Sequence, residues 1–557
     1  MKNSLKRKLM IGLSMTSALL LAACGGSGSD GDGDGSPDEE ITAESIGNKG
    51  AMDDFKVGDT FVATEPLDIS ILYRDLSAYP YDPDWKFFEV LSEEHNVNYE
   101  AVVVPLSDFE ERRSVTIAAG DMPDYATDSW PGAESEFVAS GVIFPISDYV
   151  HLMPHFQKRV EDWDLQEELD NLRYLDGKYY VLPGLQENVH FDFSLKYNKT
   201  IFDEHGIEEP TSWDELRSAL EVLKEEEGTA PMTLWWQGNA LFSFAGPSFD
   251  TIGGWGFGDG VMYDEDLDEF VYAPMQQGYR DMVEYFAGLV DDGLLNPEAF
   301  TQDGDMTRTQ LVNMESFVSS GQALTMADVN DGLADANGEG EYEFVRMPIL
   351  DGPAGPKVAG SRLASGVMFN NNIAEREDLL ALLQYVDWLY YSDEGNEYAQ
   401  WGIEGETFVK TDETEGGYLP ADNISYENFN PNADENLQEH YGFGNVAFAF
   451  ASNYDITLSK MTDQEIHYQK SMIESRELLD VDPPYPMSQP DQEESSLLST
   501  PLKDTVDQYT LRFITGQYEL DRWDDFMSDL ENQNVDAYLD LINNAYREFQ
   551  TTLEEVE

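Results

Sequence analysis

The chain has 557 residues, 41% hydrophobic and 12% aromatic; this excludes general disorder and exceeds one core, so two or more domains are expected. Lys and Arg number 32 against 110 Asp and Glu, a formal charge of −78 at pH 7. Nucleic acid and anionic membrane are thereby excluded as non-specific partners, because phosphate binding needs clustered cations. The acid is spread along nearly the whole chain, which suits a surface solvated in high salt and marks a saline or alkaline habitat.

The first element is a processing signal. Lys2, Lys6, Arg7 and Lys8 precede an apolar run, LMIGLSMTSALLLAA, which ends at Leu21-Ala22-Ala23-Cys24. Basic, apolar and small-residue parts in that order read as a signal peptide over residues 1–23, too short to be a spanning helix. Cys24 is the only cysteine, so an intramolecular disulfide and a CxxC site are excluded. Residues 24–60 open on GGSGSDGDGDGSPDEE and are expected to form a flexible acidic Gly/Ser/Asp stalk. Asp30, Asp32, Asp34 and Gly35 match the opening of a calcium loop. The twelfth position, where such a loop needs Glu, is Ile41, so no metal is expected there.

Globular patterning is expected from Phe61. Residues 67–73 (LDISILY) and 99–104 (YEAVVV) read as strands, and Trp85, Phe88 and Leu91 between them have helical spacing. Strand–helix–strand order predicts an α/β lobe with a largely parallel sheet. Thr211 or Ser212 with Glu215 offers a capping box, followed by an apolar face of Leu216, Leu220 and Leu223. Residues 379–391 and 535–546 have the same helical periodicity.

Catalytic signatures are weak. His151 and His155 are four apart, but Pro154 lies between them and no HExxH glutamate is present, so a helical zinc pair is not expected. No Walker loop, GxSxG elbow or dinucleotide fingerprint stands out, and close carboxylate pairs carry no information among 110 acids. The glycine-rich string 253–260 lacks lysine and holds Trp255, which suits a stacking platform better than a phosphate cradle. Trp130, Trp235, Trp236 and Trp401 also lie in loop-like contexts. Flat aromatics with carboxylates and amides make a carbohydrate site, although any single tryptophan is more often core.

Several strings together resemble family 1 extracellular solute-binding proteins of the long lipoprotein branch. Residues 120–124 (GDMPD) are similar to the family's GDxPD turn, and residues 176–183 (DGKYYVLP) to the hairpin before its first lobe crossover. Tyr197-Asn198-Lys199 with Phe202, Gly206 and Pro210 resembles the segment that follows. Residues 321–326 (GQALTM) look like the strand that crosses back, and residues 402–405 (GIEG) like the GxEG turn. Leu-Ala-Ala-Cys resembles a lipobox, which implies diacylation of Cys24 and a lipid anchor on the extracellular face of the cell membrane.

The resemblance implies an α/β, two-lobed periplasmic-binding-protein-like fold with a hinge and an interlobe cleft. It apportions residues 61–185 with 326–370 to one lobe and 186–325 with 371–557 to the other. It further implies a monomer without cofactor or catalytic residues, which captures an oligosaccharide and presents it to the permease subunits of an ABC importer. Carried onto this sequence, the ligand-binding positions are Tyr73, Arg74, Asp75, Asp128, Trp130, Trp235, Trp236, Trp255, Asp328, Asn330, Trp401 and Glu404. Arg74 suits a uronate carboxylate, or else pairs with a neighbouring acid. The competing readings are a lipid-anchored polysaccharide-degrading enzyme, a peptide or other solute as ligand, and a sensor subunit.

Overall fold

Nine strands build the two main sheets: β1 (Leu67–Asp75), β2 (Val97–Pro105), β3 (Tyr125–Ser129), β4 (Val181–Leu185), β5 (Ser194–Asn198), β6 (Met232–Thr233), β7 (Val318–Gly321), β8 (Phe344–Arg346) and β9 (Leu363–Phe369). They come from a computed structural model that describes residues 41–338 and 340–556. The signal peptide, Cys24 and the calcium-like string lie outside those residues. Among the described residues no helix is long and apolar enough to cross a membrane.

The first sheet runs β2-β1-β3-β9-β4, and the second runs β8-β5-β7-β6. β1 is parallel to β2 and β3, while β9 is antiparallel to β3 and β4. The ends of β1 to β4 and the start of β9 therefore share one edge. β5 is antiparallel to β7 and β8, and β6 is parallel to β7. The start of β5 and the ends of β6, β7 and β8 likewise share an edge. The chain leaves β4 for β5 through residues 186–193 and returns from β8 to β9 through residues 347–362, so both connections join these two edges. That is where loops free to bind must gather.

The expected elements form where patterning placed them. Helix Lys86–Glu94 buries Phe87, Phe88, Val90 and Leu91. Ser212 caps helix Trp213–Glu227 by accepting from the Glu215 amide, while the Glu215 carboxylate accepts from the Thr211 amide and hydroxyl rather than from Ser212. The GDxPD turn ends on Asp124, which accepts from the Ser70 amide and hydroxyl at 2.7 and 2.8 Å and pairs with Arg376 at 2.6 Å. This acid locks the start of β3 beside β1.

Three expectations are corrected. The second half of the stalk is packed: Ile46, Ala51, Met52 and Phe55 lie on the first core. Met52 exchanges two hydrogen bonds with Gln384, and the Gly58 amide donates to Nε2 of His155. A few apolar anchors sufficed to seat a mostly polar segment. Residues 321–326 do not form a returning strand, because β7 stops at Gly321 and helix Ala323–Asn337 follows within the second lobe. The lobe boundaries also differ. Val345, Met347, Ile349, Leu350 and Val358 belong to the second core, while residues 373–456 contribute to the first. Helix Leu379–Tyr391 is buried at all thirteen positions, so it needs cover on every side, and the first core supplies it. The chain returns to the second lobe near residues 456–466.

Candidate ligand-binding cleft

On the first-lobe edge, alternation along β1 sends Tyr73 inward and Arg74 toward the loops. Arg74 Nε lies 2.9 Å from Oδ2 of Asp128, an ion pair whose side chains are 21% and 9% exposed. Asp128, the penultimate residue of β3, has left-handed backbone (φ 53°). Its carboxylate also accepts from the Ser365 hydroxyl on β9, and its carbonyl accepts from Nη1 of Arg113. Two residues on, Trp130 is 55% exposed.

On the second-lobe edge three rings meet. Phe193 lies 5.4 Å from Trp236 and 5.2 Å from Trp255, and the two tryptophans are 5.5 Å apart. Trp255 is 51% exposed, a large cost for an indole that folding alone does not require. Its loop packs closely on Asn239 because Gly254 adopts φ +55°, where a Cβ would meet the Asn239 carbonyl at 1.9 Å. Trp236 and Gln237 both have positive φ (52° and 53°), ahead of Gly238 at 86°. Left-handed non-glycine residues cost of order 1 kcal/mol each and cluster at functional sites.

Behind these rings lies a buried lysine. Lys196 is 1% exposed; its Nζ donates to the Thr325 hydroxyl at 2.9 Å and sits 5.2 Å from the centre of the Trp235 ring. Burial, reinforced by the charge of Arg346, pushes Lys196 down to about 7. Burial likewise pushes His190, in the first crossover, down to about 4, with Lys460 and Arg346 adding to the shift.

A model of the bacterial extracellular solute-binding proteins matches residues 82–395. The chain belongs to that family. It is 22% identical over 548 residues to the fructooligosaccharide ABC transporter substrate-binding protein FusA of Streptococcus pneumoniae, covering 90% of this chain and 94% of FusA. Among solved structures it resembles an extracellular solute-binding protein of Bifidobacterium longum subsp. infantis (TM-score 0.64, 16% identity, 88% of this chain and 99% of that one). It also resembles S. pneumoniae FusA in complex with kestose (TM-score 0.62, 19% identity, 87% and 100%). The fold is therefore the two-lobed one.

The structure of this solute-binding protein removes several sequence-derived candidates. Tyr73 is 0% exposed; its ring packs on Tyr81, Trp85 and Phe448, and its hydroxyl accepts from Asn445. Trp401 is also 0% exposed, stacked on Tyr418, with its Nε1 bonded to Ser459. Neither can present a face to a ligand. Trp235 is 9% exposed and backs the three-ring cluster instead of joining it. Asp328 and Asn330 fall inside helix Ala323–Asn337, where Asp328 pairs with Arg308 and Asn330 exchanges two hydrogen bonds with Phe344. Asn330 holds the helix on β8, and Asp328 ties it to helix Gly304–Val312.

Arg74, Trp130, Trp236 and Trp255 remain solvent-accessible on the two edges, and Asp75 and Glu404 are accessible in their turns. Asp75 accepts from the Tyr81 amide at 2.7 Å, which shapes its turn. Phe193 was missed. The only signal in the sequence was an aromatic directly before β5, where Phe191 is buried in the second core and Phe193 stays half-buried against it.

The His151/His155 pair is not a metal site. His155 is 4% exposed, and its Nε2 accepts from the Gly58 amide, so Nδ1 carries the proton and donates to Asp387 at 2.8 Å. Both ring nitrogens are consumed in joining three segments.

Proposed function

We propose that this protein is a lipid-anchored receptor on the outer face of the cell membrane that captures an oligosaccharide between its lobes. Closure about the crossovers then presents the sugar to the permease subunits of an ABC importer. The protein itself makes and breaks no covalent bond. The observation that carries this reading is the pair of half-exposed indoles, Trp130 and Trp255, on the two edges joined by the crossovers. Sugar rings offer apolar C–H faces to such platforms and hydroxyls to the polar groups around them. The names of the relatives agree: FusA is a fructooligosaccharide-binding component, and MelE of Bacillus subtilis, 27% identical over 165 residues, is a melibiose/raffinose/stachyose-binding protein.

Arg74 favours a neutral ligand. Its charge is balanced by Asp128, so it offers hydrogen-bond donors without a net positive field. The test is calorimetry and thermal shift on the chain from residue 42 in molar salt, with kestose, raffinose and trigalacturonate, followed by chromatography of the recovered sugar. A bound neutral sugar at a hundredfold excess over Kd stabilises the native state by about 2.7 kcal/mol and comes back intact. Cleavage, or no response to any sugar, defeats the proposal.

A further inference from the structure

A cavity of about 860 Å³ is lined by residues of both lobes. Pro131 and Gly132, the residues directly after Trp130, form part of its first-lobe wall, together with Tyr174. The second-lobe wall is Phe270 and the proline-stiffened run of residues 482–486 (DPPYP), and Asp259 enters from the glycine loop that carries Trp255. The lining therefore begins one residue after Trp130 and includes a residue four positions after Trp255. Tyr485 packs edge-on to Phe270 at 4.7 Å. Asn171 of the first lobe donates to the Asp482 carbonyl at 3.3 Å, so the proline run straps the two lobes together beside the cavity.

The lining is acidic. Glu134 is 2% exposed, accepts from the Gly132 amide at 2.8 Å and the Tyr174 hydroxyl at 3.2 Å, and has its carboxyl pushed up by burial. Glu136, Asp259 and Asp482 add carboxylates. The only base among the lining residues is Arg173, whose Nε is paired with Asp170 and whose Nη1 donates to the Gly177 carbonyl. Sugar hydroxyls donate well to carboxylates, whereas an anionic sugar would meet uncompensated negative charge.

We propose that this cavity is the terminal subsite of the cleft, which takes the end of a neutral oligosaccharide beyond the rings held by the tryptophans and rejects uronate- or sulfate-bearing ends. It rests on the glycan-receptor function proposed above. The aromatic walls cover ring faces, the carboxylates accept hydroxyls, and the strap limits how far the chain can extend.

Two variants test it from opposite directions. Tyr485→Ala removes a wall. Ser496→Trp fills the space from the exposed face of helix Gln489–Ile514, where the Ser496 hydroxyl bonds only to its own helix, at Gln492. Calorimetry compares kestose with the five-unit inulin fructan, and raffinose with verbascose. In the wild type the five-unit sugar of a series is expected to bind at least tenfold tighter than its trisaccharide. Both variants are expected to lose that gain while trisaccharide affinity stays within twofold, and pentagalacturonate is expected not to bind. Equal affinity for both lengths, a gain that survives in both variants, or tight pentagalacturonate binding overturns the subsite and leaves the receptor function standing. Silence from every sugar overturns both.

Discussion

Arg346 donates from Nη1 to Oε1 of Glu465 at 2.6 Å, and both side chains are nearly fully buried, 3% and 6% exposed. The same guanidinium bonds the Ser194 hydroxyl and the carbonyls of Phe191 and Asp192, and it lies 3.7 Å over the Tyr468 ring. Gln469 adds two bonds to the Phe191 backbone. The end of the first crossover and the start of helix Asp463–Ser475 are therefore one rigid block on the second lobe. The stretches of chain left between the two cores are residues 186–188, 359–362 and 457–467.

Breaking this pair strands a buried cation. Glu465→Ala is expected to destabilise the chain by about 3–5 kcal/mol in urea unfolding. Arg346→Met with Glu465→Leu is expected to cost less than the sum of the single changes. Strict additivity of the two would show that they are not coupled.

The two glycine-flanked tryptophans should behave oppositely. Trp255→Ala is expected to leave stability within about 0.5 kcal/mol and to weaken sugar binding by about 1 kcal/mol or more, roughly fivefold. Trp401→Ala is expected to cost about 3–5 kcal/mol of stability, with the affinity of the folded fraction unchanged. Paired urea melts and calorimetry separate them, and a binding defect confined to Trp401→Ala would reverse the assignment.

Lys196 gives stability a specific pH dependence. Its folded value of about 7 lies below the ordinary 10.5, so between these the unfolded chain holds a proton that the folded one lacks. Stability from this group is full above 10.5 and is lost as pH falls toward 7. Over pH 10 to 7 the loss is about 4 kcal/mol. Lys196→Met should flatten that slope in urea titrations, and an unchanged slope would assign it elsewhere.

Residues 46–60 belong to the folded unit. A chain starting at residue 61 is expected to be less stable than one starting at residue 42 by about 2 kcal/mol or more, because Nε2 of His155 loses its Gly58 donor and Phe55 its place against Phe61 and His155. Equal melting temperatures would show that the segment is dispensable.

The anchor is tested in cells. Cys24→Ser is expected to move the protein from the membrane fraction to the medium or the periplasm, and membrane retention of the variant would remove the lipid from the proposal.

Local patterning settled much of the fold. Helix Leu379–Tyr391, helix Trp213–Glu227 with its Ser212 cap, and β1 followed from periodicity and capping chemistry, because these depend on neighbours within a few residues. The GDxPD turn and the DGKYYVLP string pointed to the family for a related reason: tight turns constrain residue type. What the chain order could not show was cover. Trp255 and Trp401 both sit beside glycine, yet Tyr418, Tyr426 and Ser459 bury one, while no other segment covers half of the other. Arg74 likewise had 110 possible acids, and the closing of β3 beside β1 selected Asp128. Periodicity says which way a side chain points. Only long-range packing decides what, if anything, lies there to meet it.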